Sequence, residues 1–175
     1  MDNEEIEILC KNILETKDHF LGVFASDMIP ERSSIEGKKF LIANLDPSYK
    51  DGSHWVCMIF QQRPDKDIYF DSYGRFPPKN LEKHLRKGFK HNTVQLQHPF
   101  STACGQWCIF FSCAVFSDHS LKNVSDFFDM QSDLLVNDYV VNKFINSILP
   151  NDNIHKVIDR SFVKKQFAKT MKDVQ

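Results

Sequence analysis

"CGQWCIFFSCAVF", from Cys104 to Phe116, decides how the rest of the chain must be arranged. Its apolar residues fall on every side of a helical wheel, the pattern of a helix buried all round rather than one lying on a surface. The stretch before it, "QHPFSTA" (97–103), is polar and turn-prone. A cysteine backed by a glycine therefore sits where a loop becomes a core helix. Cys104 is either a packed core thiol or a group placed there to react, since unpaired cysteine is among the most buried residue types.

A helix buried on all sides needs layers around it, and the flanking sequence supplies them. Upstream, "KKFLIANLD" (38–46) is strand-like and stops at Asp46-Pro47, and "HWVCMIFQQ" (54–62) reads as a strand of alternating character. "RPDKD" (63–67) is a turn, and "IYFDSYG" (68–74) is the next strand, ended by Gly74 and the Pro77-Pro78 pair. A basic helix is expected over about 79–88, then a short strand in "NTVQLQ" (92–97). At the start, "NEEIEILCKNILE" (3–15) has a helical period with acids near its N-terminus, while "HFLGVFASDMIPERSSIEG" (19–37) reads as a loop. Downstream, "NVSDFFDM" (123–130) and "DLLVNDYVVNKFINSIL" (133–149) are helical, with an amphipathic tail after Pro150. The expected fold is α+β: a central mixed, mainly antiparallel sheet of four strands packed on the buried helix, with further helices, in one domain spanning 1–175.

Composition narrows the class. The chain has 175 residues, 42% hydrophobic and 26% charged, which suits a globular protein with a full core, and its 16 Phe predict a phenylalanine-rich one. Net charge is −1, so the molecule as a whole is no general polyanion binder. Cations cluster locally, however, as Lys79, Lys83, Arg86, Lys87 and Lys90, and again over 156–172. They are either solvated faces or contacts for DNA or another polyanionic cofactor. The five cysteines form no disulfide framework and no zinc spacing, which points to a reducing, intracellular setting and no metal. No secretory segment and no apolar run of membrane-spanning length occurs, so a soluble protein is expected.

Four features give Cys104 a chemical reading. At a helix N-terminus the dipole and unbonded N–H groups favour the thiolate, and the same N–H groups can hold an oxyanion. Gly105 would allow a substrate backbone to approach closely. His54, at the start of a strand after Gly52-Ser53, is placed as a general base, with Trp55 as a packing wall. Asp71, near the end of the neighbouring strand, could hold the His54 ring in one tautomer. Gln97, seven residues before Cys104, could supply a second oxyanion donor. Each alone has a structural reading; their order along the chain is what carries weight.

That order, with "HFLG" (19–22), "GSHW" (52–55), "YFDSYG" (69–74) and "LQHPFSTACG" (96–105), resembles the adenovirus-type cysteine endopeptidases (adenain), in the clan of SUMO- and ubiquitin-like-specific proteases. The resemblance covers roughly residues 5–130; the helical region from about 131 to 175 lies outside it. It implies a papain-related thiol protease with Cys104 as nucleophile, His54 as base, Asp71 as its orienter and Gln97 in the oxyanion hole. It also implies protein or peptide substrates cut near small residues, such as capsid precursors in virion maturation. Adenain has Glu where this chain has Asp71, the residue usual in the SUMO-protease branch. Adenain also uses DNA and a disulfide-tethered peptide activator. This chain has no cysteine between Phe70 and Gln97; the expectation is therefore a chemistry needing no cofactor, and any DNA or peptide activator untethered at that position. The resemblance places such an enzyme as a monomer in the host nucleus or cytoplasm, or packaged in virions. Two other readings stand beside the endopeptidase: an isopeptidase acting on ubiquitin-like tails, and an acetyltransferase of the same clan. A non-enzymatic interaction module on the same fold is a third.

Overall fold

The computed structural model describes residues 1–130, 133–149, 165–166, 168–170 and 172. One mixed sheet runs through it, with β1 (Phe20–Phe24), β2 (Lys39–Asn44), β3 (Trp55–Phe60), β4 (Ile68–Phe70) and β5 (Lys90–His91) in chain order across its width. β2, β3 and β4 are antiparallel neighbours, and the two outer strands each lie parallel to the strand beside them. The α+β architecture expected from the sequence is present.

Both faces of the sheet are covered. On one face Phe40, Ile42, Trp55, Cys57, Ile59, Ile68 and Phe70 pack against α4 (Cys104–Phe116), against α1 (Asn3–Asn12) and, beyond α4, against α5 (Leu121–Asp129) and α6 (Leu134–Ile148). On the other, Leu41, Ala43, Val56, Met58, Phe60 and Tyr69 meet Ile29, Ile35, Leu81 and Leu85. β3 is thus buried along its whole length, and its polar-apolar alternation is muted because a second layer covers the far face. Every residue of α4 from Trp107 to Phe116 is buried. The Phe70 and Phe111 rings stack at 4.2 Å, fixing the helix to the sheet beside the site.

Three local expectations are corrected. The 19–37 segment is not all loop, because it contributes the edge strand β1. Gly22, at φ 139°, lies where the β1–β2 register shifts, so it sits in a bulge of that strand. No strand forms over 92–97: Leu96 and Gln97 both donate their N–H to the Ser72 carbonyl (2.8 and 3.0 Å), which is not a ladder. The fifth strand is the short β5 instead. The basic helix shrinks to α3 (Lys79–Glu82): the His84 and Leu85 N–H groups bond carbonyls three residues back, and the Arg86 N–H bonds the Asp67 carboxylate (3.0 Å). The basic tail expected over 156–172 lies for the most part outside the described residues.

Candidate active site

His54 precedes β3 and Asp71 follows β4, so the antiparallel pairing of these two strands brings the residues to the same end of the sheet. Turn chemistry sets both approaches. Gly52 has φ 84°, and a Cβ there would lie 2.5 Å from the Asn44 amide, whose Oδ1 accepts the Ser53 N–H at 3.2 Å. Behind Asp71, Gly74 has φ 69° and its N–H donates to the Asp71 carbonyl at 2.7 Å; a Cβ would overlap the Val94 backbone at 2.6 Å. Asn92 then holds the Asp71 backbone from both sides, accepting its N–H at 3.1 Å and donating to its carbonyl at 2.6 Å.

The side chains form a relay. Asp71 is wholly buried, and its Oδ1 receives the Tyr73 N–H at 2.8 Å and lies 2.7 Å from His54 Nε2. That leaves Nδ1 as the ring nitrogen on the Cys104 side, and each side chain favours the charged form of the other. The Tyr73 ring stacks on the imidazole with centroids 4.7 Å apart, limiting its rotation. Burial opposes protonation of His54, but the Asp71 hydrogen bond and the Cys104 side chain outweigh it and raise its pKa from 6.5 to about 9.

Burial likewise works against the Cys104 thiolate. The His54 hydrogen bond, the N–H groups of Trp55 and Gly105, and the His54 charge more than offset it, holding the thiol below 9.0. The two shifts act in the same sense, each favouring the charged form of its group. Cys10, Cys57 and Cys108 are pushed the other way by burial, and Cys113 is buried too. Cys104 alone of the five is partly exposed. Helix α4 starts there without a side-chain cap, so its first N–H groups face the site.

Gln97 is wholly buried and oriented: its Oε1 accepts the Ser72 hydroxyl at 2.6 Å, and its Nε2 donates to the Ser101 carbonyl at 2.8 Å. An amide nitrogen carries two protons, and the other meets only the Ser101 hydroxyl at 3.5 Å. Trp55 packs beside the site, its ring 3.5 Å from the Cβ position of Gly105, whereas Gly105 lies differently from expectation. Trp55 is 9% exposed and enters the site through its backbone N–H. The Cβ position of Gly105 faces Ile6 at 3.2 Å, Met1 at 3.4 Å and the Trp55 ring at 3.5 Å, so the missing side chain makes room for the N-terminal segment and Trp55.

The lysines of the basic run line two depressions. Lys79, Lys83 and Lys87 line a shallow depression, whereas Lys90 lines a separate groove of about 800 Å³ with Lys38, Lys122, Asp118 and Asp126. Arg86 is corrected from a surface contact to a structural one. It and Arg32 clamp the fully buried Asp67, with contacts of 2.9 and 3.1 Å, and Arg86 also donates to the Gln61 and Asp65 carbonyls. Among the described residues no cluster of three or more His, Cys, Asp or Glu could hold a metal, and no helix is long and apolar enough to cross a membrane. Tyr73, Ser72, Asn92 and the Trp55 N–H were not singled out from sequence; "YFDSYG" contains two of them, without a signal separating them from turn residues.

The fold that carries these residues is also found among solved structures. No protein-family model and no curated protein matches the chain. Among solved structures, the ASFV pS273R protease shares the fold with a TM-score of 0.54 and 19% identity over 79% of this chain and 64% of that one. A second structure of it, with selenomethionine, gives 0.39 and 22% over 48% and 36%. The SUMO protease Ulp1, with its catalytic cysteine oxidised to a sulfinic acid, gives 0.46 and 13% over 98% and 78%. The chain spans less than two thirds of either ASFV structure, and at these identities the likeness is one of fold.

Proposed function

We propose that this protein is a cysteine peptidase acting on protein or peptide substrates, with Cys104 as nucleophile, His54 as acid–base, Asp71 as the orienter of His54, and Gln97 with the α4 N-terminus as oxyanion donors. The observation that carries the reading is the continuous chain Asp71–His54–Cys104, with the Asp71–His54 contact at 2.7 Å and backbone N–H groups on the sulfur. The Cys104 thiolate attacks the peptide carbonyl carbon, forming an S–C bond and a tetrahedral oxyanion. The Cys104 N–H and the second Gln97 N–H face that charge, each such donor being worth about 3 kcal/mol. The C–N bond breaks as His54 gives its proton to the leaving amine. Water then attacks the thioester, His54 takes its proton, and the acid leaves.

The partial exposure of Cys104 among four buried thiols makes the test direct. Iodoacetamide at mildly acidic pH should alkylate Cys104 fast and the other four slowly, and His54→Ala should abolish the difference. Equal, slow labelling of all five would remove the ion pair and the reading with it. A peptide library would then read the bond cleaved, with small residues such as glycine expected beside it, as in capsid-precursor processing. Decay of the acyl-enzyme to free acid supports the peptidase; transfer to a lysine amine would make it an acyltransferase. Repeating the library with duplex DNA tests an untethered activator.

A further inference from the structure

Two adjacent polar residues at the start of α6, Asn137 and Asp138, are almost wholly buried (0% and 6% exposed) in a helix whose other buried residues are apolar. Burying an amide beside a carboxylate is costly unless both are bonded. Their partners lie on either side of one residue. Asn137 Nδ2 donates to the Leu96 carbonyl at 3.1 Å and, more weakly, to that of Phe128 at 3.3 Å. Asp138 Oδ2 accepts the His98 N–H at 3.1 Å, while its Oδ1 accepts the Trp107 indole N–H at 2.8 Å. The residue between Leu96 and His98 is Gln97, and Trp107 lies one turn into the helix that Cys104 begins.

From these contacts we infer that the Asn137–Asp138 pair is a positioning device for the oxyanion donor, setting the Gln97 amide against the α4 N-terminus. This rests on the assignment of Gln97 under the proposed function. Ser72 holds the same segment from the sheet side, through both its carbonyl and its hydroxyl. The α6 pair supplies the opposite wall, and Asp138 joins it to the nucleophile helix through Trp107. The helical C-terminal region thereby acquires a role in the site. A displacement of about 1 Å in such a group costs up to a hundredfold in rate, so its anchors act on catalysis without touching substrate.

Two reagents separate this role from simple structural support. Iodoacetamide reacts with the Cys104 thiolate by displacing iodide and forms no oxyanion. Benzyloxycarbonyl-glycine p-nitrophenyl ester acylates the same sulfur through a tetrahedral oxyanion, forming the S–C bond and releasing p-nitrophenolate. The measured quantity is the ratio of acylation to alkylation rate. Gln97→Ala should lower it about a hundredfold, and Asp138→Ala about tenfold, with alkylation at the wild-type rate in both. The double variant should fall no further than Gln97→Ala alone, because the anchor acts only through the amide it holds. Asp138→Asn keeps the shape but one acceptor serves two donors; it should give an intermediate ratio and guards against a misfolded alanine variant. Losses that multiply in the double variant, or an equal loss with both reagents, would overturn the inference while leaving Gln97 its role. An unchanged ratio in Gln97→Ala would instead remove the oxyanion assignment, and the inference with it.

Discussion

Replacing Asp71 by Asn removes one charge from the relay and leaves its shape. Asn keeps an oxygen where Oδ1 now receives the Tyr73 N–H and meets His54 Nε2. Its new Nδ2 takes the place of Oδ2, a buried atom with no partner, and an unmet donor there costs about 1–3 kcal/mol. Asn92 holds the backbone at 71 whichever side chain is present, so the turn should survive. The rise of the His54 pKa from 6.5 to about 9 corresponds to about 3 kcal/mol at about 1.36 kcal/mol per unit. Burial opposes that rise, and after burial the Asp71 hydrogen bond is its largest cause, ahead of Cys104. Loss of the charge should therefore return the pKa by at least about one unit. In the proposed function His54 carries a proton to the leaving amine, so cleavage should fall as pH rises through its pKa. Rates measured from about pH 5 to about pH 10 should show the alkaline limb moving down by that amount, with a deeper loss at alkaline than at mildly acidic pH. Stability follows the same sign. A raised folded pKa gives a contribution that is full below 6.5 and lost as pH climbs through about 9; in the variant the loss should come at lower pH. An alkaline limb that stays near its wild-type position would refute the account of His54.

Arg86→Ala should cost about 3 kcal/mol in urea unfolding, since it strips a buried carboxylate of one of its two guanidinium partners. Burial raises the Asp67 pKa, but Arg32 and Arg86 outweigh it and hold it below 3.8. That contribution is present above 3.8 and is lost as pH falls through the lowered value, so wild type and variant should converge in acid. Gly74→Ala should destabilise by about 2–4 kcal/mol, from a left-handed φ and the overlap with Val94, and thermal unfolding measures it. Phe111→Ala should cost about 3–5 kcal/mol by leaving a cavity against Phe70, read as a lower denaturant midpoint with an unchanged slope.

The parts of this fold legible in the sequence are those with strong local patterns. The all-apolar run after Cys104 forms α4 with the expected ends, and β2, β3 and β4 appear where β-branched and aromatic runs meet turn residues. Elements ruled by long-range partners were not legible. The turn after α3 is tied by Arg86 to Asp67, 19 residues away, and β1 depends on a bulge that only its pairing with β2 reveals. Within the site, the proximity of His54 and Asp71 follows from a hairpin that the turn at 63–67 announces. Asn92, Ser72, Asn137 and Asp138 act on backbone atoms of other segments, and no spacing in the sequence encodes such contacts. Gly105 illustrates the opposite failure: its place beside Cys104 is plain, but that its bare face meets Ile6 emerges only from packing.

The burial of α4 has a consequence for how the molecule breathes. Amide protons along Trp107–Phe116 lie within the core, so they should exchange with solvent deuterium only through the largest opening motions. The uncapped first turn has no such shelter. The border between slow and fast exchange should therefore fall within a few residues of Cys104, leaving the reactive sulfur at the edge of the most persistent part of the protein. If Cys104 is the nucleophile, as proposed, it gains little from local fluctuation, and adjustment to a substrate must come from the segments around it.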